Sequence, residues 1–175
     1  ADNVEINDNT RNSYFTVNIS GSGLEVSSAT AKLPEQTIVE NDSLQLSAAD
    51  SNKVESATIL DGKLVISINN NMAVNSIIDM DISTIQLDGI SLNIELPILA
   101  NEMGIVHEVP LYEYSLIMEL DDQAVYYEYT VITLDTENEL VTINSMDDIE
   151  ITISLEGESS GNEITFSHFT GRVAP

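Results

Sequence analysis

The chain contains no cysteine and no tryptophan, and its 30 carboxylates face only 5 lysines and arginines. Without cysteine there are no disulfides, thiolate metal sites, iron–sulfur clusters or cysteine nucleophiles, and the redox compartment stays open. A formal net charge of −25 repels nucleic acid and anionic lipid headgroups, and no basic cluster offsets it. Every apolar run is far shorter than the ~20 residues of a spanning helix, so membrane insertion is not expected. The opening Ala1-Asp2-Asn3-Val4 has neither the basic nor the apolar region of a signal peptide. What is present is a 42% apolar fraction in 175 residues, enough to form a core in one domain or at most two small ones.

A two-residue period dominates the pattern. Leu64, Ile66 and Ile68 alternate with Val65, Ser67 and Asn69; Ile90, Leu92, Ile94 and Leu96 with Ser91, Asn93 and Glu95; Ile149, Ile151, Ile153 and Leu155 with Glu150, Thr152 and Ser154. Shorter stretches with the same habit lie at 14–19, 24–26, 44–46, 80–82, 116–120, 127–131, 140–143 and 164–166. Together they predict about ten to twelve strands. No helical stripe persists over three turns, and the wealth of Ile, Val, Thr, Asn and Ser disfavours helix, leaving room only for short ones near 48–52 or 98–103. Asp61-Gly62 and Asp88-Gly89 each carry the type I′ signature of a tight hairpin. Further breaks fall at Ser20-Gly21-Ser22-Gly23, Lys32-Leu33-Pro34-Glu35, Asn69-Asn70-Asn71, Asn101-Glu102-Met103-Gly104 and 157–161. The expectation is an all-β, antiparallel β-sandwich over 11–175, with a seam at 100–110 serving as an inter-sheet crossover. Ahead of it, the polar segment 1–10 offers only Val4 and Ile6 in strand alternation and is a candidate for pairing in trans with a neighbouring sheet edge.

Evenly spread, the excess charge amounts to about one per 340 Å² of surface, a mean spacing near 18 Å against a Debye length of about 8 Å at 0.15 M salt. Charge alone therefore does not demand a bound cation, whereas clusters would. The foremost candidates are Asp135, Glu137 and Glu139; then Asp147, Asp148 and Glu150; Asp79 with Asp81; and Asp121-Asp122. Calcium, which takes six to eight oxygens, is the one cofactor such loops suggest, although neither an EF-hand nor a glycine-rich nonapeptide repeat is present. His107 and His168 lie 61 residues apart with no HExxH or GxSxG motif near them, so both read as ordinary strand residues. A carboxylate pair could serve glycoside hydrolysis, but 30 carboxylates produce pairs by chance, and few aromatics exist to line a sugar cleft. No enzymatic activity is expected. Five of the 6 tyrosines fall between positions 112 and 129. Strand alternation puts Tyr112 with Tyr114, and Tyr127 with Tyr129, on shared faces, with Tyr126 opposite. A hairpin of 111–120 against 125–134 would bring Tyr129 toward Leu116. Tyr112, Tyr114, Tyr127 and Tyr129 are thus either a hydroxyl-bearing core edge or a contact patch for a protein partner. Asn18-Ile19-Ser20 and Asn41-Asp42-Ser43 match the glycosylation acceptor pattern.

The stretch 54–70, in which Asp61-Gly62 separates two strand patterns and the second ends in Asn69-Asn70, resembles the opening of immunoglobulin-like or late-embryogenesis-type β-sandwich modules of bacterial surface proteins. The closing stretch 164–173 resembles their terminal strand. The resemblance covers about 27 residues. It implies an extracellular or periplasmic scaffold without catalytic residues; the sandwich is expected to be immunoglobulin-like or jelly-roll-like, and its place extracellular or at the cell surface. The expected role is a structural or adhesive module, part of a surface protein or fibre, that self-associates through strand pairing. The alternatives are a calcium- or glycan-binding module and, third, a hydrolase using a carboxylate pair.

Overall fold

A computed structural model describes residues 27–45, 53–157 and 164–172. The strand patterns at 14–19 and 24–26, the polar segment 1–10 and the candidate short helix at 48–52 lie outside the described residues. Within them the protein is all-β, with no helix and twelve strands. These are β1 (Ser28–Ala31), β2 (Gln36–Gln45), β3 (Lys53–Asp61), β4 (Lys63–Asn70), β5 (Ser76–Leu87), β6 (Ile90–Ile98), β7 (Ile105–Pro110), β8 (Ser115–Ile117), β9 (Ala124–Thr133), β10 (Val141–Asn144), β11 (Ile149–Glu156) and β12 (Thr165–Arg172). No helix among the described residues is long and apolar enough to cross a membrane.

Every pairing is antiparallel. A large sheet joins seven strands in the order β12-β3-β8-β5-β9-β2, with β6 on the other edge of β5; a small sheet joins β11-β4-β7; and β1 with β10 forms a two-stranded ribbon. The central strand β4 sends Leu64, Ile66 and Ile68, all essentially buried, into a core shared with Ile59 of β3, Ile78, Met80 and Ile82 of β5, and Leu92, Ile94 and Ile98 of β6. That is sandwich packing, in which each layer contributes the alternate residues of its strands. The small sheet covers only part of the large one. Ile38 of β2 lies directly opposite Val131, a core residue, and so points to the core side, yet it is 51% exposed.

Two expected hairpins have different fates. At Asp88-Gly89 the backbone is left-handed at both residues, with φ of 53° and 80°, and Leu87 pairs with Ile90, as a type I′ turn requires. At Asp61-Gly62 no hairpin forms. Gly62 is the single residue between β3 and β4, and these strands belong to different sheets, so the chain turns a corner there. Gly62 is buried, with a notional Cβ 3.2 Å from methyls of both Ile59 and Ile164, and its carbonyl accepts the Leu111 N–H at 2.8 Å. Packing, and not a left-handed turn, is what selects glycine here. The anticipated hairpin of 111–120 against 125–134 is likewise absent. β8 and β9 both pair with β5, at Ile85–Gln86 and Ser76–Asp81 respectively, and lie end to end along one edge because β6 holds the other.

The expected seam at 100–110 is partly regular. Its second half is β7, and the turn before it carries the chain from the large sheet to the small one. No helix occurs at 98–103, where Asn101 and Gly104 take φ of 56° and 70°. An asparagine cluster ties this end together. Asn70, fully buried, donates to the carbonyls of Val74 (3.0 Å) and Leu99 (2.8 Å) and accepts the Met72 N–H (3.0 Å). Asn69 accepts the Gly104 N–H, Asn71 donates to Asp148, and Asn75 accepts the Ala100 N–H. Short amide side chains satisfy the backbone groups that three adjoining turns would otherwise bury unpaired.

Candidate functional site

The large sheet has an interruption. Pairing of β5 with β9 ends at Asp81 opposite Glu128, and β8 takes up the same edge only at Ile85. On the opposite edge the β5–β6 register also slips, between Ile82 and Gln86. Ser83 and Thr84 therefore pair on neither edge of β5, and there Gln86 Nε2 donates to the Ser83 carbonyl and the buried Thr84 hydroxyl has no partner. Beside the bulge lies a cleft of about 320 Å³ lined by Asn41, Asp42, Asp81, Ser83, Tyr126, Tyr127 and Glu128.

The cleft is electronegative by construction. Asp81 and Glu128 are directly opposed across β5 and β9, and one row further along Asp79 opposes Glu95 across β5 and β6. Like charges at such positions repel and are tolerated only at exposed ladders. Asp79 accepts a hydrogen bond from the Asn93 amide at 3.0 Å. Tyr126 donates to the Asp122 carboxylate, and that hydrogen bond is the main cause of its raised pKa. Tyr127 is raised chiefly by burial, with Asp42 opposite it adding to the effect. The lining offers carboxylates, an amide and hydroxyls, but no imidazole, thiol or amine, so it holds no paired nucleophile and base of the usual kind. Its chemistry suits a cationic or hydroxyl-rich ligand.

The expected site residues are dispersed. Tyr127 and Tyr129 do share a face of β9, with ring centroids 6.4 Å apart and planes at 27°. They and Tyr114 pack against the core. Tyr112 stands apart: it is exposed in the turn after β7, where Glu113 takes a φ of 69°, so strand alternation with Tyr114 does not hold. Tyr126, assigned by alternation to the other face, lines the same cleft as Tyr127 because the bulge leaves both flanks of β9 open there. Asp135, Glu137 and Glu139 are exposed in the loop between β9 and β10. Asp135 accepts the Glu137 N–H and Glu139 donates its N–H to the Thr136 carbonyl, so this loop is organised by its own hydrogen bonds. Among the described residues no three His, Asp or Glu side chains gather closely enough to hold a metal ion. His107 sits on the small sheet opposite Ile66 and His168 on the edge strand β12 opposite Thr58, in different layers. Of the cleft residues, Asp81 and the tyrosines stood out in the sequence, and Asn41 and Asp42 did so only as part of a glycosylation acceptor pattern; Ser83 and Glu128 carried no local signal, because register alone brings them together. No protein-family model and no curated protein matches the chain significantly.

Proposed function

We propose that the chain is a non-enzymatic β-sandwich module acting outside the cell, as a structural or adhesive unit of a surface protein or fibre. The observation that supports this is β12. It is an edge strand of the large sheet, all eight of its residues are exposed, and among the described residues it pairs only with β3. Bulges in that pairing set Phe166 opposite Ile59 and Phe169 opposite Ala57, so two phenylalanines three residues apart both face the core side. They nevertheless remain 39% and 46% exposed, beyond the cover of the small sheet. An open ladder with aromatic side chains beside it is what strand-mediated association uses. The low count of basic residues, 5 against 30 acidic, fits a saline, cation-rich setting.

The experiment is solution mass by light scattering as a function of protein concentration, ionic strength and calcium. The reading expects self-association in the wild type, with Phe169→Asp returning it to monomer while the β spectrum stays unchanged. A wild-type chain that remains monomeric throughout overturns the fibre form of the proposal. The cleft favours a second reading, a calcium- or glycan-binding module. It expects saturable calcium or oligosaccharide binding by calorimetry, weakened by Asp81→Asn, and magnesium at equal ionic strength serves as the control for screening.

A further inference from the structure

We infer that β12 of one copy pairs with β2 of a second copy, joining the two ends of the large sheet's strand order head to tail. This rests on the adhesive reading of β12 and names the surface that β12 meets. Among the described residues the edge strands are β2, β6 and β12 of the large sheet, β7 and β11 of the small one, and both strands of the ribbon. Large apolar side chains stand exposed in pairs on just two of them, Ile38 and Val39 on β2 and Phe166 and Phe169 on β12. β6 and β7 expose one each, and they contain Pro97 and Pro110, residues that blunt a ladder. β11 and the ribbon strands expose none. β2 is also regular: its register with β9 is unbroken over ten residues, of which the first seven are exposed. Alternate residues along it turn their N–H and C=O groups away from β9. Ile38 and Val39 are neighbours in one strand and so point to opposite faces. An incoming strand therefore meets an apolar side chain whichever face its phenylalanines take.

Charge selects the pairing. β12 carries Arg172 and no carboxylate, and Arg172 lies directly opposite Lys53 of β3. Elsewhere among the described residues Lys63 pairs with Glu108 at 2.6 Å and Lys32 donates to Asn138 at 3.2 Å, whereas neither Lys53 nor Arg172 forms an ion pair there. Two like charges directly opposed cost stability, and on a chain of net charge −25 this basic corner attracts carboxylates. β2 supplies them: Glu40 and Asp42 are both exposed, and the strand has no basic residue. Two β2 strands do not suit each other, because a centred antiparallel pairing would set Glu40 of one copy opposite Asp42 of the other. β12 offers β2 the opposite sign together with apolar side chains that lack cover. The resulting contact is heterologous. Each copy that joins brings one further β2 or β12 edge, so addition continues instead of closing at a dimer, as a fibre requires.

The test is solution mass by light scattering on the full chain, with the β spectrum recorded for every variant. It compares wild type, the β2 variant Glu40→Lys/Asp42→Lys, the β12 variant Phe169→Asp, and an equimolar mixture of the two variants. Wild type should grow beyond two chains as concentration rises. Each variant alone should stay monomeric where wild type assembles. The mixture should reach twice the mass of one chain and stop there, since it holds one intact β2 and one intact β12 per pair. Arg172→Glu, a change at an exposed position, replaces Phe169→Asp if that chain loses its β spectrum. A β2 variant that associates as wild type does, or a mixture that stays monomeric, overturns the inference and leaves association of β12 with another surface standing. A wild type that is monomeric at every concentration overturns the inference and the fibre form of the adhesive reading together.

Discussion

Asn70 is the residue on which one end of the sandwich depends, and its replacement separates hydrogen bonding from packing. Its side chain makes three hydrogen bonds, to the carbonyls of Val74 and Leu99 and from the Met72 N–H, at a fully buried position. Asn70→Ala removes all three and takes from the Val74 carbonyl and the Met72 N–H the partner that Asn70 gives them, while the Leu99 carbonyl keeps the Glu102 N–H at 3.3 Å. At about 1 kcal/mol net for each bond lost, and more where the orphaned group stays dry, the expected loss is ~3–5 kcal/mol. That is a large part of the roughly 5–15 kcal/mol that holds a domain together. Asn70→Asp keeps the shape but turns the donor nitrogen into an oxygen facing two carbonyl oxygens. Its folded pKa must lie above the unfolded carboxyl value of about 3.9, because burial and both carbonyls oppose the charge. Below pH ~3.9 the introduced carboxyl is neutral in both states and forfeits only part of the bonding. As pH rises the unfolded state releases its proton first, so stability falls by ~1.4 kcal/mol per pH unit until the folded pKa is reached. Urea unfolding followed by circular dichroism at pH 5 and pH 7 measures this directly. The gap between wild type and Asn70→Asp should widen by up to ~2.7 kcal/mol between those pH values, whereas the Asn70→Ala gap should stay level. Parallel pH profiles, or an alanine loss under ~1 kcal/mol, would refute the claim that Asn70 is a working buried amide.

Gly171→Ala should detach β12, since a Cβ there would stand 1.9 Å from the Lys53 carbonyl oxygen; exchange of β12 amides should rise while those of β4 hold. Gly89→Ala meets nothing within 4 Å but must hold a φ of +80°, so its cost should be confined to about 1 kcal/mol of backbone strain with no change in core protection. Glu128→Gln removes one of two directly opposed carboxylates and should stabilise the protein by ~0.2–1 kcal/mol at low salt, less at 0.5 M sodium chloride; a loss of stability would show that the Asp81–Glu128 ladder holds something favourable. Because the Tyr127 pKa is raised by burial and by Asp42, its contribution to stability is present below the ordinary tyrosine value of about 10 and is lost as pH rises through the folded value. Tyr127→Phe should accordingly flatten the alkaline limb of the stability profile, read by thermal melts between pH 8 and 11.

The amino-acid order by itself determined the strand content and the inward face of most strands. Alternation such as Leu64, Ile66, Ile68 can bury its apolar residues only as one face of a sheet, and all three are buried. It also determined the turn at Asp88-Gly89, because a two-residue reversal is a local event set by backbone preferences. Asp61-Gly62 has the same two residues and a different outcome. Which strands flank the corner depends on β11, β7 and β12, all distant in the chain. The same holds for the cleft. Asp81, Glu128 and Asn41 form a row only through the registers of β5 with β9 and β9 with β2, and Ser83 and Tyr126 join it only because β5 bulges where β8 and β9 meet end to end. Asn69-Asn70-Asn71 read as a break in the strand pattern and does end β4, but its side chains fasten three turns. Local chemistry decides where a strand stops. Which buried carbonyls then need a donor is decided by the turns that tertiary packing lays against it.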